Sequence, residues 1–128
     1  MTRRESREQA FALLFEKLFN DAPVTELAAA AVEARDTSTS GFAMQLATGA
    51  EARFEELDDR IASFSKKWNK ERISRVALTV MRLAIYEMLY EADIPVSVSI
   101  NEAVELAKKF GRDESYSFVN GVLARFAS

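Results

Sequence analysis

"ISRVALTVMRLAIYEMLYE", residues 73–91, carries apolar side chains on nearly every side of a helix. At ~100° per residue, Val76, Ala77, Leu78, Val80, Met81, Leu83, Ala84, Ile85, Met88 and Leu89 cover almost the whole circumference. A helix apolar all round is buried on several sides. This segment is therefore expected to be the central helix on which the rest of the chain packs. Two charges interrupt it, Arg82 and Glu87, and a buried charge needs a partner. An internal ion pair and a site for a binding partner both fit that pattern.

Outward from this helix the sequence keeps helical spacing. Upstream, Ala50, Phe54, Leu57, Ile61 and Phe64 recur in a heptad-like way and predict one helix from Phe42 to Phe64. Before it, "DTSTSG" (36–41) reads as a polar loop with Ser40 as N-cap, and Pro23 opens the alanine-rich "TELAAAAVEAR". Downstream, a helix should run to Phe110, with Ser99 and Glu102 at capping-box spacing, Lys108 and Lys109 in its last turn, and Gly111 just beyond. Asp113 or Ser115 caps a final helix whose stripe is Phe118, Val119, Val122, Leu123 and Phe126. No stretch asks for a strand. The expectation is an all-α chain of about six to seven helices, with "SKKWNKER" (65–72) separating an N-terminal half, 1–68, from a C-terminal half, 69–128.

Composition narrows the chemistry. The 128 residues are 48% hydrophobic and 29% charged, ordinary for a globular domain, and only four Gly and two Pro punctuate them. Absent Cys and His exclude disulfides, thiol nucleophiles and imidazole acid–base work. No apolar run approaches the ~20 residues of a membrane span, and a cytoplasmic location is expected. The acidic residues Glu51, Glu55, Asp58 and Asp59 read as a solvated helix face rather than a metal site, and neither cofactor nor metal is expected.

The first helix poses a separate question. Thr2 and Glu5 have capping-box spacing, and Phe11, Leu14, Phe15 and Leu18 form an apolar stripe. Arg3 and Arg7 fall in line with that stripe, so it is cationic in its first turns, where the macrodipole disfavours positive charge. Either the end is frayed and solvated, or it overhangs the core and aims guanidinium groups at an anion. Arg3, Arg4 and Arg7 offer planar donor forks suited to phosphate. Lys108 and Lys109 could join them, and Phe110 and Tyr116 could stack on unpaired bases. For Phe110 and Phe118 core packing is the stronger expectation. With a net charge of −3, any nucleic-acid binding must use a local patch or a basic partner.

"RLAIYE" (82–87), "IPVSVSINEAVELAKKFG" (94–111) and "FVNGVL" (118–123) resemble the signature blocks of the NusB transcription antitermination family, and "RRESREQAFALLF" resembles its arginine-bearing first helix. The resemblance implies a single NusB-like domain of two perpendicular helical bundles and no enzymatic activity. It implies pairing with NusE, a small-subunit ribosomal protein, and binding of single-stranded boxA RNA with other Nus factors on RNA polymerase, promoting ribosomal RNA transcription. By the same likeness Arg3, Arg4, Arg7, Lys108, Lys109, Tyr116 and Asn120 are expected at the RNA, and Phe15, Ala77, Arg82 and Glu87 at the protein partner. Phe15 stands where many members carry Tyr. Two other readings are a homodimeric helical module and the NusB-like domain of ribosomal RNA methyltransferases. The latter would continue into an α/β domain, and a chain ending at Ser128 favours the free-standing factor.

Overall fold

The computed structural model describes residues 1–35, 38–64, 73–112 and 115–128. Among them are the helices α1 (Arg3–Glu16), α2 (Val24–Arg35), α3 (Gly41–Glu51), α4 (Phe54–Phe64), α5 (Arg75–Tyr90), α6 (Val96–Phe110) and α7 (Ser115–Ala127). The expected boundary at 65–72 and the candidate cap Asp113 lie outside the described residues.

The circumference of the central helix has the consequence it predicts. Every residue of α5 from Ala77 to Glu87 is buried. It packs against α1, α3, α4, α6 and α7. Helices α1, α2 and α3 also pack on one another, while α4 and α6 both pack on α7. Large side chains at the centre, among them Leu14, Leu46, Leu57, Met81, Ile85 and Leu123, are fully buried. Their removal from water supplies the main driving force for this arrangement.

Local signals set several helix starts. Thr2 and Glu5 close the expected capping box: the Glu5 N–H donates to Thr2 Oγ1 at 3.1 Å and the Thr2 N–H to Glu5 Oε1 at 2.9 Å. The Glu5 carboxyl is held below the usual carboxylate range, first by that backbone hydrogen bond. Ser40 and Ser74 cap α3 and α5 in the same manner, each accepting from an N–H three residues on at 3.0 Å. Ser99 and Glu102, in contrast, form no capping box. Helix α6 already begins at Val96, and both side chains turn to other partners.

The predicted helix 42–64 is two helices. At the break the Arg53 N–H bonds back to Ala50 O at 3.0 Å, and the Arg53 guanidinium takes up the freed Gly49 O at 3.2 Å. The two pieces have different neighbours: α3 packs on α1, α2 and α5, whereas α4 packs on α5 and α7. A straight helix could not reach both sets. The acidic face proves partly internal as well. Glu51 pairs with Lys17 at 2.7 Å and accepts from the Val24 N–H at 3.0 Å, tying α1, α2 and α3 together.

Gly49 lets the Tyr86 ring of α5 lie against the backbone of α3. A Cβ there would stand 2.2 Å from Tyr86 Oη, and Tyr86 is a buried ring stacked on Tyr90. Gly49→Ala is expected to lower stability by about 1–3 kcal/mol, because the ring must move inside a packed core. Thermal or denaturant unfolding measures it. A neutral result would mean that Tyr86 turns aside freely.

Candidate functional site

Arg7 does not overhang the core. Its side chain is 5% exposed, and its Nε and Nη2 donate to Glu87 Oε2 at 2.8 Å and Oε1 at 2.9 Å. Glu87 is 2% exposed and also accepts from Ser99 Oγ at 3.1 Å. The basic residue in an apolar stripe and the acidic residue in an apolar helix are therefore partners. This corrects the expectation of an overhanging, exposed Arg7, and for Glu87 it selects the internal ion pair of the two readings: both side chains are buried against each other.

Two further partner candidates are also internal. Arg82, 6% exposed, makes a two-point bond to Asp58, with Nε–Oδ1 and Nη2–Oδ2 both 2.8 Å, and its guanidinium carbon lies 4.3 Å from the Phe54 ring centre. Ala77 is buried under α5's neighbours. Of the four, only Phe15 reaches the surface. It sits in a row of aromatic contacts, 5.6 Å from Phe11 and 5.5 Å from Phe19, beside a groove of about 580 Å³ lined by Leu13, Phe15, Phe19, Leu27 and Ala31. Phe19 is 61% exposed, and the Arg75 guanidinium lies 4.9 Å from its ring centre.

The exposed cations meet elsewhere, along the seam of α1 with α6. Arg4 donates from Nε to Glu102 Oε1 at 3.1 Å and from Nη2 to Oε2 at 2.7 Å. Lys109 Nζ donates to both Glu8 carboxylate oxygens, at 2.9 and 2.8 Å. Phe11 stacks on Phe110 at 4.9 Å. These pairings advance together along both helices, so α1 and α6 run in the same sense here. Between them lies a cleft of about 200 Å³ lined by Arg4, Arg7, Glu8, Glu102, Glu105, Leu106 and Lys109. The Glu102 carboxyl is held below its usual range, first by its hydrogen bond to Arg4 and then by the charges of Arg4 and Arg7. Arg4 is raised in turn by the same bond.

The surface continues from this cleft to the start of α7. Lys109 Nζ is 5.5 Å from the Phe110 ring centre, and Lys108 Nζ is 5.2 Å from that of Tyr116 and 3.8 Å from Glu105. Phe110 and Tyr116 are each 41% exposed, and Phe118 is exposed too. Core packing was the sequence expectation for Phe110 and Phe118. Phe110 instead buries one face on Phe11, and Phe118 lies on the outer side of α7 while Val119, Val122 and Leu123 are buried. Asn120 is exposed one helical turn after Tyr116, on the same face. Arg3 is apart from this group, with its guanidinium carbon 4.2 Å from the Phe42 ring centre on α3.

The structure thus brings together Arg4, Lys108, Lys109 and Tyr116, puts Asn120 on the same helix face as Tyr116, turns Arg3 toward Phe42, and leaves Arg7 as a buried part of the cleft lining. Sequence reasoning missed Glu102 as the partner of Arg4. Glu102 lies three residues after Ser99 and seven before Lys109, one stripe of α6, and that spacing was the available signal. Among the described residues no helix is long and apolar enough to cross a membrane.

Fold and seam define the class, an all-helical module that carries, among the described residues, an exposed cationic and aromatic corner at the α1–α6 seam. The family model described as NusB family matches residues 4–128, and the chain belongs to that family of transcription antitermination proteins, which are not enzymes. It is 42% identical over 137 residues to the transcription antitermination protein NusB of Geobacter sp. (strain M21), covering 99% of this chain and 94% of the relative. The solved T. maritima NusB superposes with a TM-score of 0.86 at 35% identity, over 99% of this chain and 91% of that one. A crystal structure of antitermination factors NusB and NusE in complex with dsRNA contains a chain of the same fold. Its TM-score is 0.84 at 24% identity, with coverage of 98% of this chain and 97% of that one.

Proposed function

We propose that this NusB family protein is an RNA-binding adaptor that holds boxA-type single-stranded RNA on the α1–α6–α7 corner while NusE docks beside it. The pair would act in the cytoplasm, with other Nus factors on RNA polymerase, to support ribosomal RNA transcription. One observation carries the RNA reading: Arg4, Lys108 and Lys109 lie on one continuous surface with the exposed rings of Phe110 and Tyr116. Cations can track a phosphate backbone, and ring faces can stack on splayed bases. Asn120 supplies amide donors and an acceptor at the rim. Arg3 adds positive potential at the start of α1 and Arg7 holds the helix in place, so neither is assigned a phosphate contact.

NusE is assigned to the apolar face at Phe15 and Phe19, where Arg75 provides a charged rim. An exposed aromatic anchor beside a groove is the usual centre of a protein interface. Ala77, Arg82 and Glu87 are buried and are assigned no direct contact with NusE. Exposed Phe19 and Val32 would also suit a second copy of the chain, and sedimentation of the isolated protein distinguishes that occupant.

The test is a titration of labelled boxA-type RNA with the chain alone and with NusE added. Binding alone should be weak, because the net charge is −3 and the local cations already hold carboxylates. NusE should strengthen it at least about 10-fold, since a basic partner adds phosphate contacts. Equal affinity with and without NusE would defeat the adaptor reading.

A further inference from the structure

The corner assigned to RNA is already occupied by anions belonging to the protein. Glu102 grips the Arg4 guanidinium at two points, 3.1 and 2.7 Å, and Glu8 holds Lys109 with both oxygens. A two-point bond to a guanidinium is also the geometry that a phosphate offers. We propose that Glu102 and Glu8 are built-in counter-anions, so that RNA binds by exchanging phosphate for carboxylate on Arg4 and Lys109. The inference rests on the RNA reading of this corner.

The two sides of the Arg4 pair are unequally free. The Arg4 side chain is 59% exposed and can swing outward, while Glu102 is 13% exposed and fixed in the seam. Glu102 is not abandoned when Arg4 leaves, because Arg7 Nη1 remains 3.8 Å from its Oε1. The buried Arg7–Glu87 pair therefore serves as a backstop that keeps Glu102 charged and in place. Lys109 and Glu8 repeat the arrangement nearer the surface, at 57% and 26% exposure.

Exchange of this kind sets specificity. An acidic protein surface offers Arg4 the same group that Glu102 already supplies and gains nothing by displacing it. A single-stranded RNA brings closely spaced phosphates to both cations at once, with bases for the adjoining rings. The carboxylates thus raise the threshold for carboxylate-bearing competitors and for diffuse anions more than for RNA.

The exchange leaves a signature in salt dependence. A free cation that neutralises one phosphate contributes about 0.7 to the log–log slope on single strands. If Glu102 takes up a cation as Arg4 departs, that contribution is largely cancelled. Glu102→Gln should then tighten RNA binding by about 1.4- to 5-fold, the range spanned by an exposed ion pair. It should also steepen the slope, by up to about 0.7.

The experiment titrates labelled boxA-type RNA across a salt series with the chain and NusE, using wild type, Arg4→Ala, Glu102→Gln and the double variant. Support requires that Arg4→Ala weakens binding, that Glu102→Gln tightens it with a steeper slope, and that the gain shrinks when Arg4 is absent. If Arg4→Ala weakens binding but Glu102→Gln changes neither affinity nor slope, the exchange is wrong and the RNA reading stands. A gain that persists in full without Arg4 also overturns it, since that is general charge repulsion. If Arg4→Ala has no effect, the RNA assignment itself fails and the exchange falls with it. Should Glu102→Gln fail to fold, Glu8→Gln with Lys109→Ala applies the same cycle at the more exposed pair.

Discussion

Arg7→Ala is expected to destabilise the protein by about 3–5 kcal/mol, the cost of leaving one member of a buried ion pair without its partner. The Glu87 carboxylate, 2% exposed in the native fold, would keep Ser99 Oγ but lose the guanidinium that meets both its oxygens, and among the described residues no other cation pairs with it. In a domain of this size that loss corresponds to a fall in Tm of roughly 10–20 °C. Arg7→Lys should cost less, because one ammonium can meet one carboxylate oxygen but cannot span both. The combined change Arg7→Met with Glu87→Leu should return most of the stability, since both charges leave the interior together. Ser99 can then bond to a carbonyl in its own helix. If this double variant folds and binds RNA like wild type, Arg7 acts through structure alone. An Arg7→Ala protein that melts within a degree or two of wild type would show that the pair is not buried in solution.

The fold was largely legible because its decisive element is extreme. A helix with apolar residues on every side has to be central, and Thr2, Ser40 and Pro23 mark starts by mechanisms that act locally. The break between α3 and α4 was not legible. It lies at Ala52 and Arg53, neither of which is a helix breaker, and it arises because the two pieces pack on different helices. Tertiary packing overrides propensity there.

The site was half legible for a related reason. Spacing along one helix is readable, so Arg7 was found in its apolar stripe and Glu87 in the central helix. Which of them faces the other is a contact across 80 residues, and no periodicity reports it. The same holds for Arg4 with Glu102 and Lys109 with Glu8. Phe118 misled for a simpler reason: it adjoins Val119 in sequence and so borrows the look of the stripe, while its own direction is ~100° away.

Arg4→Ala combined with Lys109→Ala is expected to reduce RNA affinity of the NusE-bound chain by about 10- to 100-fold, one to two charge-assisted phosphate contacts' worth. Neither side chain supports the core, since both are more than half exposed, so Tm should change by only a few degrees. The comparison variant is Arg60→Ala on α4. It removes a charge from another exposed position and should leave RNA binding nearly unchanged if the corner is the contact surface. Salt dependence adds a second readout. Two unpaired cations would make the slope shallower by about 1.4 on removal. Because Glu102 and Glu8 exchange with the phosphates, the observed change should be clearly smaller while the affinity loss remains large. Loss of affinity with the full change in slope would mean that the two cations are free before RNA arrives. No loss of affinity at all would move the RNA off the α1–α6 seam, and the pairs found there would then be no more than surface salt bridges.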